Sequence, residues 1–170
     1  WKRDEIGAVS ICTPDGLHLE PSLAAVASGK AMLLEKPLAT RLAEAEQIVQ
    51  AARQAGVLLL PGHVLRHDTR CSLAYQAIRE GRIGAVQYIY TRRTGRLHVA
   101  QALAGRVTLP FFIGVHDYDM MRWWTGAEVT AVQAQARFGV LQAQGLGVAD
   151  AYGQLLAFSD GTQATAELDQ

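Results

Sequence analysis

The pattern of hydrophobic and polar positions divides the chain into two parts. In the first part, short apolar runs at residues 6–13, 32–34 and 57–60 have the length of buried strands. The segments between them carry apolar residues at helical spacing, which predicts two amphipathic helices. Strands that alternate with helices favour βαβ units with a parallel sheet, so this part is predicted to be α/β.

The two predicted helices have recognisable ends. The first has Leu19, Leu23 and Val26 on one side, and Gly29 suits the position just past its end. The second is predicted to begin after a capping Thr40 and to end at Gly56. Its expected buried stripe consists of Leu42, Ala45, Ile48, Val49 and Ala52.

The second part has a different pattern. Helices are predicted over residues 69–80 and 115–124, and a strand over 86–91, whereas residues 92–108 have no clean period and are expected to form a loop. Residues 130–138 and 163–168 alternate between apolar and polar side chains, and Ser159-Asp160-Gly161 predicts a hairpin. This part is therefore predicted to be α+β with an open, mostly antiparallel sheet. The domain boundary is expected between residues 66 and 67.

Composition and charge narrow the classes of function. Hydrophobic residues make up 49% of the 170 residues and charged residues 19%, which argues against disorder. Sixteen basic and sixteen acidic residues balance, and no apolar run is long enough to span a bilayer, so neither a nucleic-acid nor a membrane partner is expected. Cys12 and Cys71 have no disulfide or metal spacing, which favours the cytoplasm, and Cys12 is expected in the core. The chain begins with Trp1 and is expected to be part of a larger protein.

The first candidate for chemistry is Glu35-Lys36-Pro37, which follows a buried strand. Ligands of open α/β sheets bind beyond the carboxyl ends of parallel strands, and Thr13-Pro14 ends another such strand. A partly desolvated lysine there suits proton transfer near neutral pH, and a Lys-Pro bond can be cis. The competing interpretation is an ordinary surface turn with a solvated Lys36.

The second candidate is the segment 114–123. On a helix, His116, Asp119 and Trp123 share one face, so Asp119 could orient His116 as an acid or base. Three alternatives stay open at this point. His116 and Asp119 could bind a metal with His63, His116 could be a hydrogen-bonded core residue, or Asp119 could simply pair with Arg122.

The third candidate is Arg66, in the segment after the third strand. Its guanidinium could contact a cofactor phosphate or a substrate carboxylate, or it could pair only with Asp68. Arg92, Arg93 and Arg96 are most simply interpreted as a solvated strand end, since no nucleic-acid-binding signature accompanies them.

Taken together, these segments resemble the Gfo/Idh/MocA oxidoreductases. The resemblance rests on Ala8-Val9-Ser10-Ile11-Cys12-Thr13-Pro14, Gly29-Lys30, Leu34-Glu35-Lys36-Pro37-Leu38-Ala39, Gly62-His63-Val64-Leu65-Arg66, Gly114-Val115-His116-Asp117-Tyr118-Asp119 and Phe158-Ser159-Asp160-Gly161. It covers nearly the whole chain. It implies the second half of a Rossmann domain over residues 1–66 and a partial substrate and oligomerisation domain over 67–170. It also implies NAD or NADP as cofactor and a sugar, cyclitol or derivative as substrate.

The resemblance also implies roles for individual residues. Lys36 matches the family's catalytic lysine and His116 its catalytic or substrate-orienting histidine. The positions near the nicotinamide and its ribose are matched by Thr13, Pro14, His18 and Glu35. We expect Asp119 and Arg66 to contact the substrate, no metal to be bound, and the chain to self-associate through its antiparallel sheet.

Two departures from the family limit these expectations. Many members carry an aspartate four residues before the histidine, where this chain has Phe112. The glycine-rich phosphate turn has no counterpart, and Gly145-Leu146-Gly147 lacks the third glycine and the βαβ setting. The expected function is therefore a dehydrogenase represented by a truncated chain that is itself inactive. The alternatives are an NAD-dependent glycoside hydrolase of the same family and a non-catalytic, self-associating domain.

Overall fold

A computed structural model describes residues 3–170 of the chain. Within it the chain divides into two compact units, one ending at His63 and the other running from Val64 to Gln170. The division falls shortly before the predicted boundary between residues 66 and 67. None of the helices in residues 3–170 has the length and apolar character needed to cross a membrane.

The first unit is built on a parallel sheet, as its strand-helix alternation predicts. The strands are β1 (Ala8–Ile11), β2 (Ala31–Leu34) and β3 (Leu59–Pro61), paired in the order β1-β2-β3. Helix α1 (Leu19–Ala27) follows β1, and helix α2 (Leu42–Ala55) follows β2. The chain therefore passes from each strand to the next through a helix, which is the βαβ connection.

The core of this unit lies between one face of the sheet and the two helices. Its buried side chains are Ile11, Met32 and Leu34 from the sheet and Ala25, Ile48 and Ala52 from the helices. Leu33 and Leu60, which alternate with the buried strand residues, are exposed. The alternation explains the error over Cys12, which was expected in the core but is exposed just after β1.

The helix ends are partly as predicted. Gly29 and Gly56 both have φ of 65°, a left-handed conformation that glycine adopts without strain, and each lies just past a helix. The prediction of Thr40 as a cap is wrong, because Arg41 precedes α2 and no side chain caps it. Leu42 is exposed, so the buried stripe of α2 begins further along the helix.

The second unit is a mixed sheet with helices. Its strands are β4 (Tyr88–Thr94), β5 (Val129–Arg137), β6 (Ala151–Phe158) and β7 (Gln163–Asp169). They lie in the order β4-β7-β6-β5, with β4 parallel to β7 and the other pairs antiparallel. The predicted hairpin at Ser159-Asp160-Gly161 joins β6 to β7. The helices are α3 (Thr69–Arg79), α4 (Leu97–Leu103), α5 (Val115–Thr125) and α6 (Val140–Ala143).

The main difference from the sequence prediction lies in residues 92–108. The predicted loop instead contains the end of β4 and the helix α4. Ala100 of α4 is buried against Leu141 and Val148, which are distant in the sequence. Because these contacts rather than an amphipathic stripe stabilise α4, its own sequence carries no helical period.

The two faces of this sheet differ as the alternation predicts. On one face Ile89, Leu156, Ala164 and Ala166 pack against Met121 of α5. Residues paired directly across the strands share a face, which assigns a set of largely exposed residues to the other side. This open face consists of Tyr88, Tyr90, Arg92, Ala131, Gln133, Gln135, Gly153, Leu155, Ala157, Gln163, Thr165 and Glu167.

Helix α5 is entered through a π-helical turn, Pro110–Gly114, whose last residue is tightly enclosed. A Cβ at Gly114 would lie 2.7 Å from Leu168 Cδ1 and 2.7 Å from Tyr118 Oη. Leu168 is buried, and Tyr118 is held by a hydrogen bond to Gln154, so neither side chain has room to move aside. The φ of −62° at Gly114 suits any residue, so the backbone conformation does not require glycine here. The close packing does.

We expect Gly114→Ala to destabilise the chain by about 1–3 kcal/mol, the usual cost of forcing atoms into a packed core. Thermal or urea unfolding followed by circular dichroism measures this change. Gly147→Ala is the matched control, since a Cβ there meets no atom within 4 Å and the residue lies outside the open face. Equal unfolding midpoints for the two variants would contradict the packing argument.

Candidate functional site

Polar side chains gather where β1 and β2 end in the first unit. Ile11 and Leu34 are paired across the two strands, and the Glu35 amide donates to the Ile11 carbonyl at 3.0 Å. Thr13 and Lys36 lie just beyond this pair on neighbouring segments. Thr13 and Pro14 are exposed, and Glu35 and Lys36 are half-buried. The structure therefore brings four of the predicted site residues to the carboxyl edge of one sheet.

The turn that carries Lys36 is held by its neighbours. The Lys36 amide donates to Glu35 Oε2 at 3.1 Å, and the Gly62 amide donates to the Leu34 carbonyl at 2.7 Å. A Cβ at Gly62 would lie 3.1 Å from Glu35 Cα, so glycine allows the segment after β3 to approach this turn closely. The Lys36-Pro37 peptide bond is cis, as the sequence permits.

His18, predicted near the nicotinamide and its ribose, is buried beside the same turn. Its side chain is only 1% exposed. Nδ1 lies 2.8 Å from the Pro37 carbonyl oxygen, and Nε2 lies 2.9 Å from the Thr13 carbonyl oxygen. The ring thus contacts the backbone of both segments that leave the sheet.

The second unit holds His116 in the first turn of α5, where it is followed by two residues in ion pairs, Asp117 and Asp119. Asp117 accepts hydrogen bonds from Arg93 Nε at 3.0 Å and from Nη2 at 2.7 Å. Asp119 accepts from Arg66 Nε at 2.8 Å and from Nη2 at 2.7 Å. Both carboxylates are buried. Each is stabilised there by a bidentate arginine from another element.

These pairs settle two of the alternatives that the sequence left open. Asp119 pairs with Arg66, whereas Arg122 pairs with Glu128 at 2.6 Å. Asp68 pairs with Arg70, which lowers the pKa of Asp68 to about 2 through their hydrogen bond. The interpretation of Asp119 as a partner of Arg122, and of Arg66 as a partner of Asp68, is therefore wrong.

Arg66 is fixed by more than its carboxylate. Its guanidinium lies 5.7 Å from the centre of the Trp123 ring, which in turn stacks on Tyr75 at 4.3 Å. The side-chain hydrogen bonding to Asp119 raises the pKa of Arg66. Because 42% of the arginine side chain is still exposed, Arg66 combines a fixed orientation with access to a ligand.

Two polar contacts around α5 were not predicted from the sequence. Arg93 was assigned to a solvated strand end but pairs with buried Asp117, and its position two and four residues after Thr91 and Ile89 could have placed it on the inward face. Tyr118 donates to Gln154 at 2.6 Å, and its burial raises its pKa to about 12. Gln154 lies two and four residues before Leu156 and Phe158 in β6. This spacing puts the three residues on one face and could have indicated an inward polar group.

Two further features considered above are the possible metal site and the residue four positions before His116. Among residues 3–170, no three His, Cys, Asp or Glu side chains group in a way that could hold a metal ion. Phe112, at the position where many members of the resembled family carry an acid, is half-buried and lines a small recess with Leu109 and Val148.

Comparison with known proteins assigns both units to related domains. Residues 1–63 match the sequence model of the oxidoreductase family GFO_IDH_MocA, described as an NAD-binding Rossmann fold. Residues 72–170 match that of the GFO/IDH/MocA C-terminal domain. The fold class expected from the sequence is confirmed by solved structures of dehydrogenases that superpose on almost the whole chain.

Individual relatives have described activities. The chain is 38% identical over 147 residues to a 1,5-anhydro-D-fructose reductase of Ensifer adhaerens, covering 79% of this chain and 43% of that protein. It is 31% identical over 134 residues to a scyllo-inositol 2-dehydrogenase (NAD(+)) of Bacillus subtilis, covering 78% and 39%. A structure of scyllo-inositol dehydrogenase from Lactobacillus casei with bound NAD(H) and scyllo-inositol matches with a TM-score of 0.86 and 25% identity, covering 98% of this chain and 51% of that one. The chain thus spans less than half the length of the first two relatives.

Proposed function

Because the chain belongs to the Gfo/Idh/MocA oxidoreductase family, we propose that it forms part of an NAD(P)-dependent dehydrogenase that acts on a hydroxyl group of a sugar, cyclitol or derivative. The observation that carries the proposal is the position of Lys36, which follows β2 and lies beside Thr13 at the carboxyl edge of a parallel sheet. The named relatives, which act on an anhydro-sugar and on an inositol, support this substrate class.

The residues at this edge fit one half of a dinucleotide. Thr13, Pro14 and Glu35 offer a hydroxyl, an exposed ring and a carboxylate beside one another, which suits the nicotinamide and its ribose. A nicotinamide cofactor held by these residues would supply the hydride acceptor for oxidation of the carbon that bears the hydroxyl group. The sequence contains no Gly-x-Gly-x-x-Gly, so the pyrophosphate half of the cofactor has no matching segment.

The proposed work of the lysine is proton transfer. Lys36 Nζ takes the proton from the substrate hydroxyl oxygen while the carbon is oxidised, and it returns the proton in the reverse reaction. This leaves a carbonyl group on the product and keeps the charges balanced. Glu35 Oε2, which accepts from the Lys36 amide, holds the backbone of the turn during the exchange.

The second unit is proposed to bind the substrate. His116 orients the hydroxyl group through its imidazole, and the ion pairs of Asp117 and Asp119 hold the helix that carries it. Arg66 contacts polar groups of the substrate through its exposed part, while Asp119 fixes its direction. Asp119 was expected to contact the substrate itself, and its two bonds to Arg66 favour an indirect role.

The proposal is tested with a longer protein that contains this chain. Reduction of NAD or NADP is followed by absorbance during incubation with inositols, anhydro-sugars and aldoses. Turnover of at least one polyol or sugar is expected. Release of a free sugar from a glycoside, without net cofactor reduction, would instead support the family's hydrolase reaction, and inactivity with every compound would support a non-catalytic domain. A cytoplasmic location stays a prediction from the cysteine pattern.

Self-association is a separate part of the proposal, and it rests on the open face. Leu155 is 53% exposed and Tyr90 is 56% exposed in its central row, so covering this face would bury apolar surface. We expect light scattering to detect dimers or larger species of the chain. Leu155→Glu should weaken the association by about tenfold or more, because an unpaired carboxylate is costly to bury.

Leu73→Glu is the control for this experiment, since Leu73 of α3 is exposed to a similar degree, 58%. It should leave the association unchanged. A monomer over a wide range of concentration, or equal effects of the two substitutions, would count against the open face as the contact.

A further inference from the structure

The imidazole of His18 joins the two backbone segments that carry the proposed cofactor and proton-transfer residues. Its Nδ1 lies 2.8 Å from the Pro37 carbonyl oxygen, directly after Lys36, and its Nε2 lies 2.9 Å from the Thr13 carbonyl oxygen. Both oxygens only accept, so the ring donates to both of them when both nitrogens carry a proton, and to one of them when a single nitrogen does. One side chain therefore reaches both ends of the candidate site within the first unit.

The position of the ring is itself fixed. The side chain is 1% exposed, and His18 directly precedes the first residue of α1. The Ser22 hydroxyl, also fully buried, donates to the His18 carbonyl oxygen at 2.7 Å. The backbone of His18 is thus held by this helix independently of the two ring contacts.

The sheet ladder ends before these segments begin. Ile11 and Leu34 form the last pair of β1 and β2, and the Glu35 amide adds one more bond to the Ile11 carbonyl at 3.0 Å. Thr13 and Pro37 lie beyond that point, where the chains diverge into a 3₁₀ turn and the turn before α2. His18 extends the connection between the strands past the end of the ladder.

We propose that His18 is a positioning residue that places Lys36 through Pro37 and, separately, places Thr13. The inference rests on the proposed function, in which Lys36 moves a proton and Thr13 contacts the cofactor. The buried ring of His18 has both nitrogens at carbonyl oxygens, and it acts on the cofactor through the backbone of Thr13. Loss of the Nδ1 contact therefore affects the chemical step, and loss of the Nε2 contact affects cofactor binding.

Two substitutions separate the contacts. The amide nitrogen of asparagine reaches as far as Nδ1 of histidine, and that of glutamine reaches as far as Nε2. His18→Asn retains a donor for Pro37 and loses the one for Thr13, whereas His18→Gln does the reverse. In NMR spectra of the 170-residue chain, His18→Asn should shift the amide signals of Thr13 and Asp15. His18→Gln should shift those of Lys36 and Leu38.

The kinetic arm uses a longer protein that contains this chain. His18→Gln should lower kcat on the order of tenfold with little change in KM for the cofactor, because a small displacement of a reacting group has a large effect on rate. His18→Asn should raise KM for the cofactor severalfold and largely retain kcat. Thr162→Val is the control, since it removes a buried hydrogen bond of the second unit, from Thr162 Oγ1 to the Val86 carbonyl oxygen at 3.0 Å, and leaves His18 and its partners unaltered. It should lower the unfolding temperature without a selective change in kcat or in KM for the cofactor.

The inference is overturned if both substitutions shift both segments alike, or if neither shifts them. If the variants do not fold, the unmutated chain decides, because a ring N–H that exchanges freely with solvent also overturns it, whereas a protected one close to Pro37 or Thr13 supports it. Full activity of a Lys36→Met variant would remove the proposed function, yet the NMR pattern would still decide whether His18 positions the two segments.

Discussion

Calorimetric titration of the 170-residue chain with NAD or NADP is expected to show no saturable binding below millimolar concentrations. A Rossmann site draws much of its affinity from backbone N–H groups at a glycine-rich turn and helix N-terminus, and from an acidic residue on the ribose. The sequence contains no Gly-x-Gly-x-x-Gly, and the residues proposed to meet the cofactor, Thr13, Glu35 and Lys36, would contact only its nicotinamide side. Each charge-assisted hydrogen bond contributes about 1.5–3 kcal/mol, so losing a few weakens binding by several orders of magnitude.

The same experiment on a longer protein that contains this chain provides the control. That protein should bind one of the two cofactors in the micromolar range if the phosphate-binding segment is present. We also expect no dehydrogenase activity from the 170-residue chain. A micromolar dissociation constant for the chain alone would show that its own residues suffice, or that two copies build one site.

Replacing Lys36 by methionine is expected to lower turnover of the longer protein by roughly 100-fold or more, the scale on which a general acid-base group contributes. Methionine retains much of the length of the side chain but cannot accept a proton. Cofactor affinity should change much less, because Thr13, Pro14 and Glu35 are unaltered. Steady-state kinetics with the best polyol or sugar, together with a cofactor titration, separates these two effects.

Lys36→Arg distinguishes proton transfer from a purely electrostatic role. The guanidinium keeps the positive charge but does not release its proton, so this variant should be about as slow as Lys36→Met. High turnover with arginine would mean that the charge alone matters. Near-normal turnover with methionine would remove Lys36 from the mechanism.

Local sequence determined the elements whose hydrophobic period and end signals agree. Residues 32–34, bounded by Gly29 and Pro37, lie in strand β2, with Met32 and Leu34 buried, and the helices on either side of it end at the glycines that the sequence indicated. The alternation in Ala164, Ala166 and Leu168 gave the buried face of β7 correctly. These features depend on contacts within one turn or one pleat, so the residues that create them are close in the sequence.

Tertiary structure alone decided which partner each polar group meets. From the sequence, Arg66 was expected to contact a ligand or to pair with Asp68. In the structure it pairs with Asp119, which is far along the chain. The helix α4 and the inward position of Arg93 depend in the same way on Val148 and Asp117. The two contacts of the His18 ring need Thr13 and Pro37 on separate strand ends. Hydrophobic period reports only that a side chain faces inward, whereas the choice of a hydrogen-bond partner depends on the distance and angle between groups that folding brings together.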